Sequence, residues 1–157
     1  MARQALEAYN AMRRKEGEAL AADLLSRKAT ILGYVEKVEA RSAVTVAEYR
    51  NRLTNKLREV LENHTIDESR ILTEAAIFAD RVATDEETTR LSSHIKQFRS
   101  IIKSGEPAGR KLDFLTQELN REVNTVGSKA NDIDIAKIVV DLKSEIEKIR
   151  EQIQNVE

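Results

Sequence analysis

Cysteine is absent from this chain, and so is tryptophan. Without cysteine there are no disulfides and no thiolate metal ligands, and a reducing, cytoplasmic compartment is the expected one. One proline and five glycines punctuate the sequence, too few for the turn-rich segments of a β-sandwich or barrel. Aromatic residues are 4% and charged residues 34%, a balance that suits long helices better than a thick globular core. No run of about 18 apolar residues occurs, so no membrane span is expected. Neither sign of charge dominates: 26 Lys and Arg against 27 Asp and Glu leave a net charge of −1. The overall field therefore does not attract phosphate, and any nucleic-acid contact must come from a local basic stripe. The chain also lacks a Walker loop, an H-E-x-x-H, a G-x-S-x-G and any zinc-type Cys/His spacing.

What is present is apolar periodicity at helical spacing. Leu6, Tyr9, Leu20, Leu24, Ile31, Val35 and Val38 mark a first helix over 3–40. Ser42 to Val46 reads as a break. Tyr49, Leu53, Leu57 and Val60 mark a second helix ending near His64. Ile71, Ala75, Phe78 and Val82 mark a third, with Thr65 and Asp67 as N-cap candidates. Thr84 and Glu87 have the spacing of a capping box ahead of a fourth, carried by Leu91, Ile95, Phe98 and Ile102. Gly105, Glu106 and Pro107 stop it. Leu112, Leu115, Leu119 and Val123 define a fifth, with Gly127 expected at its left-handed end.

In the sixth helix, Ile135, Val139, Leu142, Ile146, Ile149, Ile153 and Val156 alternate spacings of four and three. This is a heptad seam that suits either a bundle core or an intermolecular zipper. The expected fold is all-α: long antiparallel helices in an elongated helical bundle with coiled-coil-like packing. The expected division is a long helical hairpin or extension over 1–64 and a C-terminal helical domain over 65–157.

Chemistry has few places to sit. His64 and His94 are the only imidazoles, so metal chemistry would rest on carboxylates with or without one of them. Such donors suit hard ions, and one imidazole tilts the choice toward Mn²⁺ over Mg²⁺. Glu87, Arg90 and His94 share one flank of the fourth helix. Glu87 and His94 are two turns apart, roughly 10 Å, so other ligands must come from a partner helix. The plainer alternative has Glu86 and Glu87 serving the helix dipole. Glu118 and Glu122, at i and i+4, form a carboxylate pair on the fifth helix, or else they pair with Arg121 or with neighbouring lysines. Gly127, Ser128 and Lys129 offer a turn whose backbone N–H groups and one cation suit a phosphate, or simply a connection between helices.

Several longer words carry a resemblance. They are GRKLDFL at 109–115, QELNREVNT at 117–125, GSKAND at 127–132 and KSEIEKIREQIQNVE at 143–157. Upstream stand MRRKEGEAL at 12–20, YRNRL at 49–53, SRILTEAAIFAD at 69–80 and DEETTRLSSHIKQF at 85–98. Together they span the chain, which resembles the C-terminal domain of the YicC/YloC family of bacterial proteins. The resemblance implies a metal-dependent endoribonuclease acting on RNA as a homo-oligomer, with manganese as the ion. It also implies a mixed α/β domain ahead of the helical half, so the chain is expected to be the helical C-terminal part. On this footing Glu87, His94, Glu118 and Glu122 are the expected metal ligands. His94, Glu118 and Glu122 are the expected catalytic residues, and Arg110, Lys111 and Lys129 the expected phosphate contacts. The substrate would be single-stranded or loop RNA. The competing reading is a non-catalytic helical oligomerisation or scaffold module.

Overall fold

The computed structural model of the protein describes residues 1–61 and 65–155. These form five helices and, among the described residues, no strand: α1 (Ala2–Leu61), α2 (Glu68–Val82), α3 (Asp85–Ser104), α4 (Gly109–Lys129) and α5 (Ile133–Gln154). The middle of α1 joins α3, α4 and α5 in a four-helix bundle. Neighbouring helices run antiparallel. Arg27 meets Glu145 while Arg41 meets Asp132, so α1 rises as α5 falls. Lys129 meets Glu87 while Glu122 faces Arg90, so α3 and α4 are opposed too.

The expected break at Ser42–Val46 does not form. Arg41 prevents it by bonding Glu48 on its own helix and Asp132 at the start of α5, each at 2.8 Å. The Ser42 and Thr84 hydroxyls meet at 3.1 Å, and the Thr45 hydroxyl donates to the Ser42 carbonyl at 2.9 Å. Small and β-branched residues cost a helix only tenths of a kcal/mol each, and these tertiary contacts outweigh that. The hairpin or extension expected over 1–64 is, across Ala2–Leu61, one continuous helix, roughly 90 Å long at 1.5 Å per residue. The end expected near His64 lies outside the described residues.

Residues 3–19 of α1 are exposed, with Arg14, Gly17 and Glu18 bordering a cleft at the α3–α4 turn. Leu24, Ile31, Val35 and Val38 enter the common core. The last turns of α1 hold α2 in a hairpin beside the bundle, where Tyr49 stacks on Phe78 with ring centroids 3.9 Å apart.

Ends and turns follow local chemistry with two corrections. Asp67 caps α2 and Asp132 caps α5, each accepting from the N–H groups two and three residues on. Gly105 ends α3 at φ 68°, a conformation that glycine adopts without penalty. The Thr84–Glu87 capping box is not made: the Thr84 side chain makes no cap hydrogen bond, and Glu87 turns to Lys129. Gly127 is not a left-handed terminus either, because α4 continues through it to Lys129. It permits close packing instead: a Cβ there would lie 3.2 Å from Val139 Cγ1.

The heptad seam of α5 is internal. Ile135, Val139, Leu142, Ile146, Ile149 and Ile153 are all buried in this chain's own core, so they are not free for an intermolecular zipper. Val156 lies outside the described residues.

Candidate metal centre

The antiparallel contact of α3 and α4 brings two polar flanks to one groove. On α3, His94 lies beside the buried stripe of Leu91, Ile95 and Phe98. On α4, Glu118 and Glu122 stand one turn apart beside Leu115, Leu119 and Val123. One nitrogen of His94 and one carboxylate oxygen from each glutamate all lie within 4.8 Å of one another. That is the spacing of donors around one hard cation, whose bonds run about 2.0–2.6 Å.

Glu122 is buried, at 5% exposure, while Glu118 and His94 are half-buried. The Nδ1 of His94 is buried with no hydrogen-bond partner among the described residues. Leaving such an atom unsatisfied costs about 1–3 kcal/mol. A cation at the cluster would offset two crowded carboxylates, and the imidazole beside them has an uncommitted nitrogen, so these residues fit a divalent ion. One imidazole with two carboxylates suits Mn²⁺ or Mg²⁺, and three protein donors leave coordination positions open for water or substrate.

The other expected site residues fall elsewhere. Glu87 is outside the cluster, because α4 meets it with a cation rather than a ligand. Its Oε1 accepts from Lys129 Nζ at 2.5 Å, and its Oε2 is buried without a partner among the described residues. The Glu87 hydrogen bond raises Lys129 above the ordinary lysine value, against the lowering effect of desolvation.

Lys129 is thus an ion-pair partner. Lys111 is 18 residues away on the same helix, roughly 27 Å at 1.5 Å per residue, so Arg110, Lys111 and Lys129 do not form one patch. The backbone of Gly127–Lys129 is helical, so it presents no turn of free N–H groups to a phosphate. Arg110 and Lys111 are exposed at the far end of the groove, and neither makes an ion pair among the described residues.

Sequence reasoning gave Arg90 no site role. Its Nη1 lies 3.6 Å from Glu122 Oε1, and its Nη2 is paired with Glu86. The signal was its position one turn after Glu86 and one turn before His94, which puts all three on one flank.

An all-α bundle that gathers an imidazole and two carboxylates in one groove, with a guanidinium beside them, defines a helical protein with a candidate cation site. Residues 38–157 match the family described as endoribonuclease YicC-like, C-terminal, and the chain belongs to that family. It is 46% identical over 147 residues to a protein of Clostridioides difficile (strain 630) named probable endoribonuclease YicC, covering 93% of this chain and 50% of that protein. It is 40% identical over 149 residues to a protein of the same name from Haemophilus influenzae, covering 95% of this chain and 51% of that one. The chain therefore spans about half the length of the curated relatives it matches.

Proposed function

We propose that this chain is the metal-holding helical part of an endoribonuclease that cuts single-stranded or loop RNA. The observation that carries this reading is the His94, Glu118 and Glu122 cluster, with a buried imidazole nitrogen that has no partner among the described residues. His94, Glu118 and Glu122 would hold the ion, Mn²⁺ by preference for its mixed nitrogen and oxygen donors. When bound, the ion supplies Lewis-acid stabilisation of charge on the scissile phosphate.

The chain's own side chains do the rest. Arg90 leans on Glu122 from 3.6 Å while its other terminal nitrogen pairs with Glu86, which holds the Glu122 carboxylate in place and sets a positive charge beside the cluster. Glu118, less buried than Glu122, would accept the proton of the attacking oxygen on the carboxylate oxygen not committed to the ion, and the departing oxygen would take a proton from water as its P–O bond breaks. Arg110 and Lys111 bind phosphates further along the strand.

We also propose that the chain self-associates, because α1 exposes Leu6, Tyr9 and Met12 beyond the bundle. That surface, rather than the α5 seam, is the candidate contact between copies.

The metal reading is tested by calorimetric titration of Mn²⁺ into the protein and by RNA cleavage in Mn²⁺. His94→Ala and Glu122→Gln should each weaken Mn²⁺ roughly tenfold or more, about 1.4 kcal/mol, and abolish cleavage with helicity intact. Parent-like cleavage by both variants overturns the proposal.

A further inference from the structure

Beyond the metal cluster, the same groove continues between α3 and α4 into an open cleft of about 370 Å³. It is lined by Gln97, Ile101, Arg110, Lys111, Phe114 and Leu115. Its size is that of a small-ligand site, roughly 300–1,000 Å³.

Phe114 is the unusual member. Its neighbour Leu115 is 4% exposed and Phe98 across the groove is 2% exposed, yet Phe114 is 59% exposed. It does not serve the core. A lone exposed apolar residue is ordinary, but this one has particular company. Arg110 and Lys111 are exposed beside it and, among the described residues, neither is neutralised by an ion pair.

The register along α4 ties this cleft to the cluster. Lys111, Phe114, Glu118 and Glu122 follow at spacings of three, four and four, so they lie on one face of the helix. Phe114 precedes Glu118 by about 6 Å of helical rise, and Lys111 lies about 4.5 Å further on. On α3, Gln97 lies one turn beyond His94 toward the same cleft. An aromatic face, two uncompensated cations and a carboxamide are thus aligned with the donor cluster along one groove.

We propose that Phe114 is a base-stacking platform for single-stranded RNA. It would hold a nucleobase one helical turn from the His94–Glu118–Glu122 cluster, with Arg110 and Lys111 gripping the adjoining phosphates. Single-stranded sites pair aromatic faces with cations in this way, and stacking is tolerant of base identity. The inference deepens the RNA reading and rests on it, but it concerns binding and not the metal. It gives the groove a polarity: cluster at one end, strand anchor at the other.

The test uses the full chain in EDTA, so that no metal contributes. Fluorescence anisotropy reads the binding of a labelled oligouridine of about 12 nucleotides, within the roughly 4–16 that such sites span. The matched probe is a ribose-phosphate oligomer lacking bases. Phe114→Ala should weaken oligouridine binding roughly 5- to 150-fold, the range measured for loss of one stacked base. It should leave the abasic probe within about threefold. Phe114→Trp should keep parent-like affinity. Arg110→Gln with Lys111→Gln should weaken both probes and flatten the log–log salt slope by about 1.4, at roughly 0.7 per phosphate.

Oligouridine binding unchanged in Phe114→Ala overturns the proposal, and so does an equal loss on the abasic probe. A loss that tracks a change in sedimentation makes Phe114 a contact between copies and overturns it as well. Mn²⁺ binding is scored separately: failure of the metal cluster leaves this assay intact, and failure here leaves the cluster standing.

Discussion

Single ion pairs in this bundle have opposite pH limits. Asp132 accepts from Arg41 Nη2 at 2.8 Å, and that hydrogen bond is the main reason its carboxyl is held below the ordinary aspartate value. Its folded pKa lies below its unfolded one. The stabilisation is therefore present above the ordinary aspartate range and is lost as pH falls through the depressed value. Asp132→Asn keeps an N-cap side chain but removes the charge. It should lower the melting temperature by a few degrees at pH 7, and the deficit should shrink toward zero as pH drops below the aspartate range. A thermal-melt series against pH measures this, and a deficit constant down to pH 2 would contradict it. Lys129 behaves the other way. Its pKa is raised by Glu87, so that contribution is complete below the ordinary lysine value and fades as pH rises through the elevated one.

Helix α5 is the element on which the bundle turns. Its six described seam residues are buried against the other helices of the same chain. Leu142, fully buried at 0% exposure, sits in the middle of that strip. Leu142→Ala should cost about 2–5 kcal/mol, the lost transfer energy plus the cavity. Because the seam is intramolecular, the loss measured by urea unfolding should be the same at low and high protein concentration. A loss that vanishes on dilution would mean that the seam packs against another copy. Helix α1 shows how an element overrides its own local preferences. The segment 42–46 is weak in isolation, but the Arg41 contacts to Glu48 and Asp132 and the Ser42–Thr84 contact carry the helix through it.

The whole molecule is a bundle with one helix much longer than the others. No helix among the described residues is long and apolar enough to cross a membrane. Leu6, Tyr9 and Met12, at spacings of three, occupy one side of the start of α1 and are each more than half exposed. If they join copies, the parent protein should sediment above monomer mass at about 100 µM, a loading that reveals micromolar association. Changing all three to Glu should return it to monomer mass with helicity kept. A parent protein that is strictly monomeric at that loading rules out the contact.

Periodicity alone determined the all-α class, the apolar stripes of α2 to α5 and the flanks bearing His94, Glu118 and Glu122, because side-chain direction repeats with the backbone every 3.6 residues. Local capping chemistry was also legible at Asp67, and so was the glycine stop at Gly105. Tertiary structure decided what depends on a neighbour's position. The continuity of α1 hangs on Asp132, 91 residues away from Arg41. Glu87 and Glu122 are both flank glutamates, yet one meets Lys129 and the other meets His94. That difference comes from the vertical register of α4 against α3, which packing sets and no single-helix pattern encodes. Phe114 likewise sits in the seven-residue word GRKLDFL, off the stripe of Leu112, Leu115 and Leu119. Only the closed bundle shows which side of α4 remains open.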